Sequence, residues 1–143
     1  MFFYFIYFPF VLLPFLFAKG KNFINLVKAN IFIILISNLI YVLIPTKIPR
    51  PEFIADDIPT FVLNFVHNID NNVNLFPSLH VSMTFLALLA ISKINKKFFL
   101  IALVLFALTT LSTLFIKQHY VLDVLSGLML GYAAYKIYFK KLK

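Results

Sequence analysis

Residues 98–116 read Phe-Phe-Leu-Ile-Ala-Leu-Val-Leu-Phe-Ala-Leu-Thr-Thr-Leu-Ser-Thr-Leu-Phe-Ile, nineteen positions without a charge. A helix needs about 20 predominantly apolar residues, range 17–25, to cross a bilayer core. This stretch therefore predicts a membrane-spanning helix. Working outward, four further runs carry the same mark. Residues 2–18 hold no charge and lack the basic start of a secretory signal; Pro9 and Pro14 predict kinks there. Residues 23–44 are interrupted only by Lys28, near enough to one end to snorkel. Residues 77–92 are short for a span unless they begin in a cavity or loop, and residues 119–139 complete the set of five.

Composition agrees. Of 143 residues, 62% are hydrophobic and 13% charged, and the mean hydropathy is +0.96. Ordinary soluble domains carry about 25% charged residues. So little charge excludes a soluble globular domain, and such hydrophobicity excludes disorder. The expected fold is all-α: one multi-pass helical bundle over residues 1–143, with a non-cytoplasmic loop at 45–76. The absence of cysteine removes disulfides, thiolate metal sites and cysteine nucleophiles.

The formal net charge of +8 comes from 13 Lys and Arg against 5 Asp and Glu. The lysines form small groups between apolar runs and make no basic stripe, so no nucleic-acid partner is expected. Lys19 and Lys21 follow the first run, Lys93, Lys96 and Lys97 the third, and Lys136, Lys140, Lys141 and Lys143 close the fifth. With five helices these clusters share one face. The positive-inside rule makes that face, and the C-terminus, cytoplasmic in a cell-membrane protein. The opposite face receives Met1, the segment 45–76 with Glu52, Asp56, Asp57 and Asp70, and the Lys117-Gln118 turn. Within that segment, Ile58–Val66 predicts a short helix lying at the interface.

Three polar groups converge on this second face. His119 and Asp123, four apart, are expected on one side of the fifth helix. A lone carboxylate costs about 2.5–3.5 kcal/mol at mid-membrane on insertion scales, which marks Asp123 as functional. Asp123 would hold one ring nitrogen of His119 and leave the other as nucleophile or base. Gly127 and Gly131 continue the same face in steps of four and predict close approach of another helix. At the start of the third helix, Pro77 suits a first helical position, Ser78 and the first-turn amides suit an anion, and His80 sits just inside. Arg50 and Lys47, after the second helix, add a two-point clamp and a point charge. Two histidines, a carboxylate, a hydroxyl and two cations make a phosphoryl-transfer inventory.

These residues resemble the type 2 phosphatidic acid phosphatase superfamily. Pro77-Ser78-Leu79-His80 matches its Pro-Ser-x-His motif, and Ser112, His119 and Asp123 keep the register of its third motif. The wording Phe-Pro-Ser-Leu-His and His-Tyr-x-x-Asp is most similar to the branch of inositol phosphoceramide synthase-like lipid phosphotransferases. The resemblance spans roughly Tyr41 to Ala134. It implies that His119 attacks phosphorus to form a phosphohistidine and Asp123 orients it. It implies His80 as proton donor to the leaving oxygen, and Ser78, Arg50 and Lys47 as holders of the phosphoryl oxygens. The substrate would be a phospholipid, lipid phosphate or lipid diphosphate in the bilayer, with no metal or cofactor. Two departures stand out: Thr113 replaces the third motif's arginine, and Lys47 lies three residues before Arg50-Pro51 where the family spaces them by seven. The family core usually has six spanning helices against the five expected here. Two other classes fit parts of the pattern: a non-catalytic membrane scaffold of this fold, and a membrane protein binding haem through His80 and His119.

Overall fold

All five apolar runs become helices in the computed structural model, which describes residues 2–50, 54, 56–70 and 72–140. Met1, Pro51, Glu52, Lys141 and Lys143, used in the reading above, lie outside the described residues. After a 3-10 turn at Phe2–Ile6 the α-helices are α1 (Tyr7–Phe17), α2 (Lys21–Leu43), α3 (Ile58–Ile69), α4 (Leu79–Ile94), α5 (Phe99–Phe115) and α6 (Val121–Phe139). No strand forms among the described residues. A single antiparallel bridge, Lys47 with Val73, ties the chain leaving α2 to the chain entering α4. The Thr46 side chain reinforces that tie by accepting from the amides of Leu75 and Phe76.

The centre is α4, which packs on α1, α2, α5 and α6. Val81, Leu86, Ala87, Leu88, Ala90 and Ile91 are all buried. A helix apolar on every side belongs inside, and α4 is such a helix. Its closest partner is α6, for the steric reason the glycines predict. A Cβ on Gly127 would lie 2.8 Å from the Ser78 carbonyl oxygen, and one on Gly131 would lie 2.6 Å from that of Ser82.

The element boundaries bring corrections. Among the described residues, only α2 and the Lys96–Phe115 stretch are long and apolar enough to cross a membrane by length and composition; Phe3–Phe17 and α4 are shorter apolar helices. The 16 residues of α4 rise only about 24 Å, less than a ~30 Å hydrocarbon core. Pro77 is not at the first helical position: Ser78 is the N-cap and the helix begins at Leu79. Likewise His119 lies before α6, whose N-cap is Tyr120 in extended conformation. Asp123 explains that start, because its carboxylate accepts from the Tyr120 amide at 2.8 Å. Pro9 falls in the first turn of α1, where a missing donor costs no helix bond, and α1 continues through Pro14.

The lysine groups do share one end of the bundle. The Lys93 ammonium donates to the Phe139 carbonyl, joining the ends of α4 and α6. Phe17, closing α1, stacks on Phe98 at the entry to α5. The opposite end holds α3 with His67, and His80 and His119.

Candidate active site

Backbone contacts build this end before any side chain acts. The Ser78 amide donates to the Asp123 carbonyl at 3.1 Å, pinning the start of α4 to the first turn of α6. Ser78 is fully buried, and its Oγ caps the Val81 amide at 3.3 Å. Tyr41, near the end of α2, donates to the Pro77 carbonyl at 2.8 Å. The Thr113 carbonyl receives the amides of Gln118 and His119, at 2.9 and 3.2 Å, and so folds the α5–α6 turn back onto α5.

That scaffold brings His80, His119 and Asp123 together. His119 Nε2 faces His80 Nδ1 at 3.4 Å, and His119 Nδ1 faces an Asp123 carboxylate oxygen at 3.6 Å. Both His119 and Asp123 are buried. The spacing of four survives the change of context: an extended Tyr120 still returns the carboxylate to the imidazole. Nε2 is thereby the His119 nitrogen turned toward His80 and away from Asp123.

A cavity of about 330 Å³ opens on this pair, lined by Tyr41, Asp70, Asn74, Leu79, His80, Gln118 and His119 among others. A second, about 490 Å³, reaches His119 from its other side, between Ile48, Pro49, Leu114, Lys117 and Tyr120. Ser78 lines neither cavity; its polar atoms join α4 to α6 and cap α4. Lys47 is exposed and lines neither, whereas Lys117 shares the second cavity with His119.

Arg50 lines neither cavity; it lies behind Asp70 and Gln118 of the first, held by acceptors of the protein itself. One terminal nitrogen donates to the carbonyls of His67, at 3.0 Å, and Asp70, at 2.5 Å. The other donates to the Gln118 side chain at 2.6 Å. Burial pulls its pKa below the ordinary arginine value while Asp70 opposes that pull. A guanidinium starts so far above neutrality that the side chain stays cationic. His67, given no chemistry from sequence, braces this corner through Nε2 against the Ile116 carbonyl at 3.0 Å. Tyr4 has no signal in the sequence, and Gln118 and Asp70 are placed at this end by it without a role. Tyr4 donates to the Asp70 carboxylate across 66 positions of chain, and no local pattern encodes that distance.

The model of one protein family, the PAP2 superfamily, matches residues 1–137. No curated protein and no solved structure matches the chain.

Proposed function

The chain belongs to the PAP2 superfamily, and from that premise we propose a lipid phosphatase or phosphotransferase working through a phosphohistidine. Membership supports a phosphatase- or phosphotransferase-type function in general. The finer reading is carried by one observation: a buried histidine backed by a buried carboxylate, its free nitrogen aimed at a second histidine.

In this reading His119 Nε2 attacks phosphorus and Asp123 holds Nδ1–H. His80 protonates the leaving oxygen, and water or an alcohol then takes the phosphoryl group from His119. Near-attack geometry puts phosphorus about 3–3.5 Å from the nucleophile. The leaving oxygen needs hydrogen-bond range of the acid, about 2.7–3.0 Å. With the two nitrogens 3.4 Å apart, a phosphoryl group beside the pair meets both requirements at once. Arg50, from behind Gln118 and Asp70, supplies positive charge to the phosphoryl oxygens. Lys117, which shares the second cavity with His119, joins Arg50 and Lys47 as a third cation at this end. Ser78 serves the site by fixing the start of α4.

A lipid substrate is supported by an apolar cavity of about 330 Å³ that reaches His80 between Tyr4, Phe5, Tyr7, Phe8 and Val66. The proposed setting is the cell membrane, with the site on the non-cytoplasmic side. The haem alternative leaves Asp123 without a part. The test is rapid-quench detection of phosphoenzyme from a panel of lipid phosphates and diphosphates. Wild type should label and release phosphate, and His119→Ala should do neither. Near-normal turnover by His119→Ala would remove the nucleophile assignment; binding of lipid phosphate by wild type without turnover would favour a scaffold.

A further inference from the structure

His80 has a second set of partners on the side away from His119. Its Nε2 lies 2.8 Å from the Tyr4 hydroxyl and 3.7 Å from an Asp70 carboxylate oxygen. Tyr4 donates its own proton to that same carboxylate oxygen. A phenol has one proton to give. With that proton on Asp70, the Tyr4 oxygen accepts from His80 Nε2–H, and the chain of donors runs from His80 through Tyr4 to Asp70. This order leaves Nδ1 as the His80 nitrogen that faces His119. Tyr7 packs its ring edgewise on the imidazole, centroids 4.5 Å apart, while its hydroxyl turns to the Met83 sulfur. Tyr7 thus restrains the ring without competing for its protons.

We propose that Tyr4 and Asp70 are positioning residues that make His80 the acid of the transfer, a second carboxylate serving a second histidine. The inference rests on the phosphohistidine reading above. In the forward step the His119 Nε2 lone pair forms the P–N bond and the P–O bond to the alcohol breaks. The departing oxygen takes the proton from His80 Nδ1. Nε2–H stays on Tyr4, and Asp70 balances the imidazolium charge until the Nδ1 proton leaves. In the return step His80 Nδ1 takes a proton from the attacking water or alcohol as the P–N bond breaks, which restores the imidazolium.

Acid–base assistance is worth about 10²–10⁴-fold where the leaving oxygen needs a proton. A long-chain alkyl phosphate needs it and 4-nitrophenyl phosphate does not, so the pair separates chemistry from folding. The measurement is the rate of phosphoenzyme formation by the full chain in detergent, with thermal melting alongside. Asp70→Asn should slow the alkyl substrate by a factor on the order of 10–10² and leave the nitrophenyl substrate near wild type. Tyr4→Phe, which keeps the ring, should move the same ratio by less, and Asp70→Glu should restore part of the loss. Equal slowing of both substrates, or an unchanged alkyl rate, would overturn the proposal and leave Tyr4 and Asp70 as braces. If Asp70→Asn does not fold, Tyr4→Phe decides by the same ratio. Failure of wild type to form phosphoenzyme from either substrate, or labelling that persists in His119→Ala, removes the parent reading and this one together.

Discussion

At Arg50 one guanidinium holds the end of α3 and the turn before His119 in a single grip, through His67, Asp70 and Gln118. Transferred phosphoryl groups spread negative charge over their equatorial oxygens. Losing one good donor to such charge costs on the order of 10²–10³ in rate. Arg50→Ala should therefore lower kcat/KM by about that factor. Arg50→Lys should rescue only part, because an ammonium cannot reach both acceptor sets at once. Full activity in Arg50→Ala would confine the residue to bracing the loop. Thr113 asks the opposite question. The sequence invites Thr113→Arg as a restoration of the family's clamp, but Thr113 is fully buried and its carbonyl anchors the His119 turn. Overpacking such a site costs about 1–3 kcal/mol, so Thr113→Arg should lower the melting temperature without raising turnover. His80, His119 and Asp123 were legible because motif spacing holds them; Tyr4 and Asp70 were not, because only the packed bundle brings them to His80.

The α4–α6 pair is the element on which the site depends, since each helix start carries one histidine or its support. Gly131 is the tighter of its two contact points, with backbone where a Cβ would go. Gly131→Ala should push the helices apart, lower the melting temperature and slow phosphoenzyme formation together. Gly127→Ala should do the same more mildly. An unchanged melt for both would mean that the interface relaxes freely. The Gly-x-x-x-Gly step was readable from the sequence because it depends on side-chain size alone. The α3 helix was readable at its start for a similar local reason. Asp57 accepts from the Thr60 amide at 2.7 Å, and Thr60 accepts in return from the Asp57 amide at 3.3 Å. Its end was not readable: α3 runs on to Ile69, past the expected Val66, as His67 and Asp70 find partners far along the chain. The Thr60 hydroxyl and amide hold the Asp57 carboxyl below its usual pKa. A depressed carboxylate contributes stability above its unfolded value and loses it as pH falls through the folded one. Acidification through that range should fray α3, read as faster proteolysis between Asp56 and Thr60, and Asp57→Asn should blunt the dependence.

Across the whole molecule, the two ends differ in charge and the waist between them is apolar. Lys19, Lys21, Lys93, Lys96, Lys97, Lys136 and Lys140 mark the end away from the histidines, while Asp56, Asp57 and Asp70 mark the end that holds them. Between them Leu12, Ile31, Leu35, Val104 and Met129 stand exposed along the middle of their helices. Water-facing monomers rarely expose continuous apolar surface on this scale. On α3, Ile58, Phe61, Phe65 and Ile69 are exposed in one stripe, while Val66 on the other side packs with Tyr4 and Ile116. A helix with a buried inner face and an apolar outer face fits the boundary between lipid and headgroups. Under the positive-inside rule, lysine at one end would set the direction of insertion. Because the chain has no cysteine, single-cysteine variants need no background removed. Asn95→Cys, in the turn between α4 and α5, should react with an impermeant maleimide only from the cytoplasmic side of sealed vesicles. Asp56→Cys, just before α3, should react only from the other side. Labelling of both from one side would contradict a bundle inserted along its axis. It would also leave the histidine end without a defined membrane face from which a lipid phosphate could enter. Labelling from opposite sides but in reverse would keep the bundle and the site, and turn the phosphoryl chemistry to the cytoplasm.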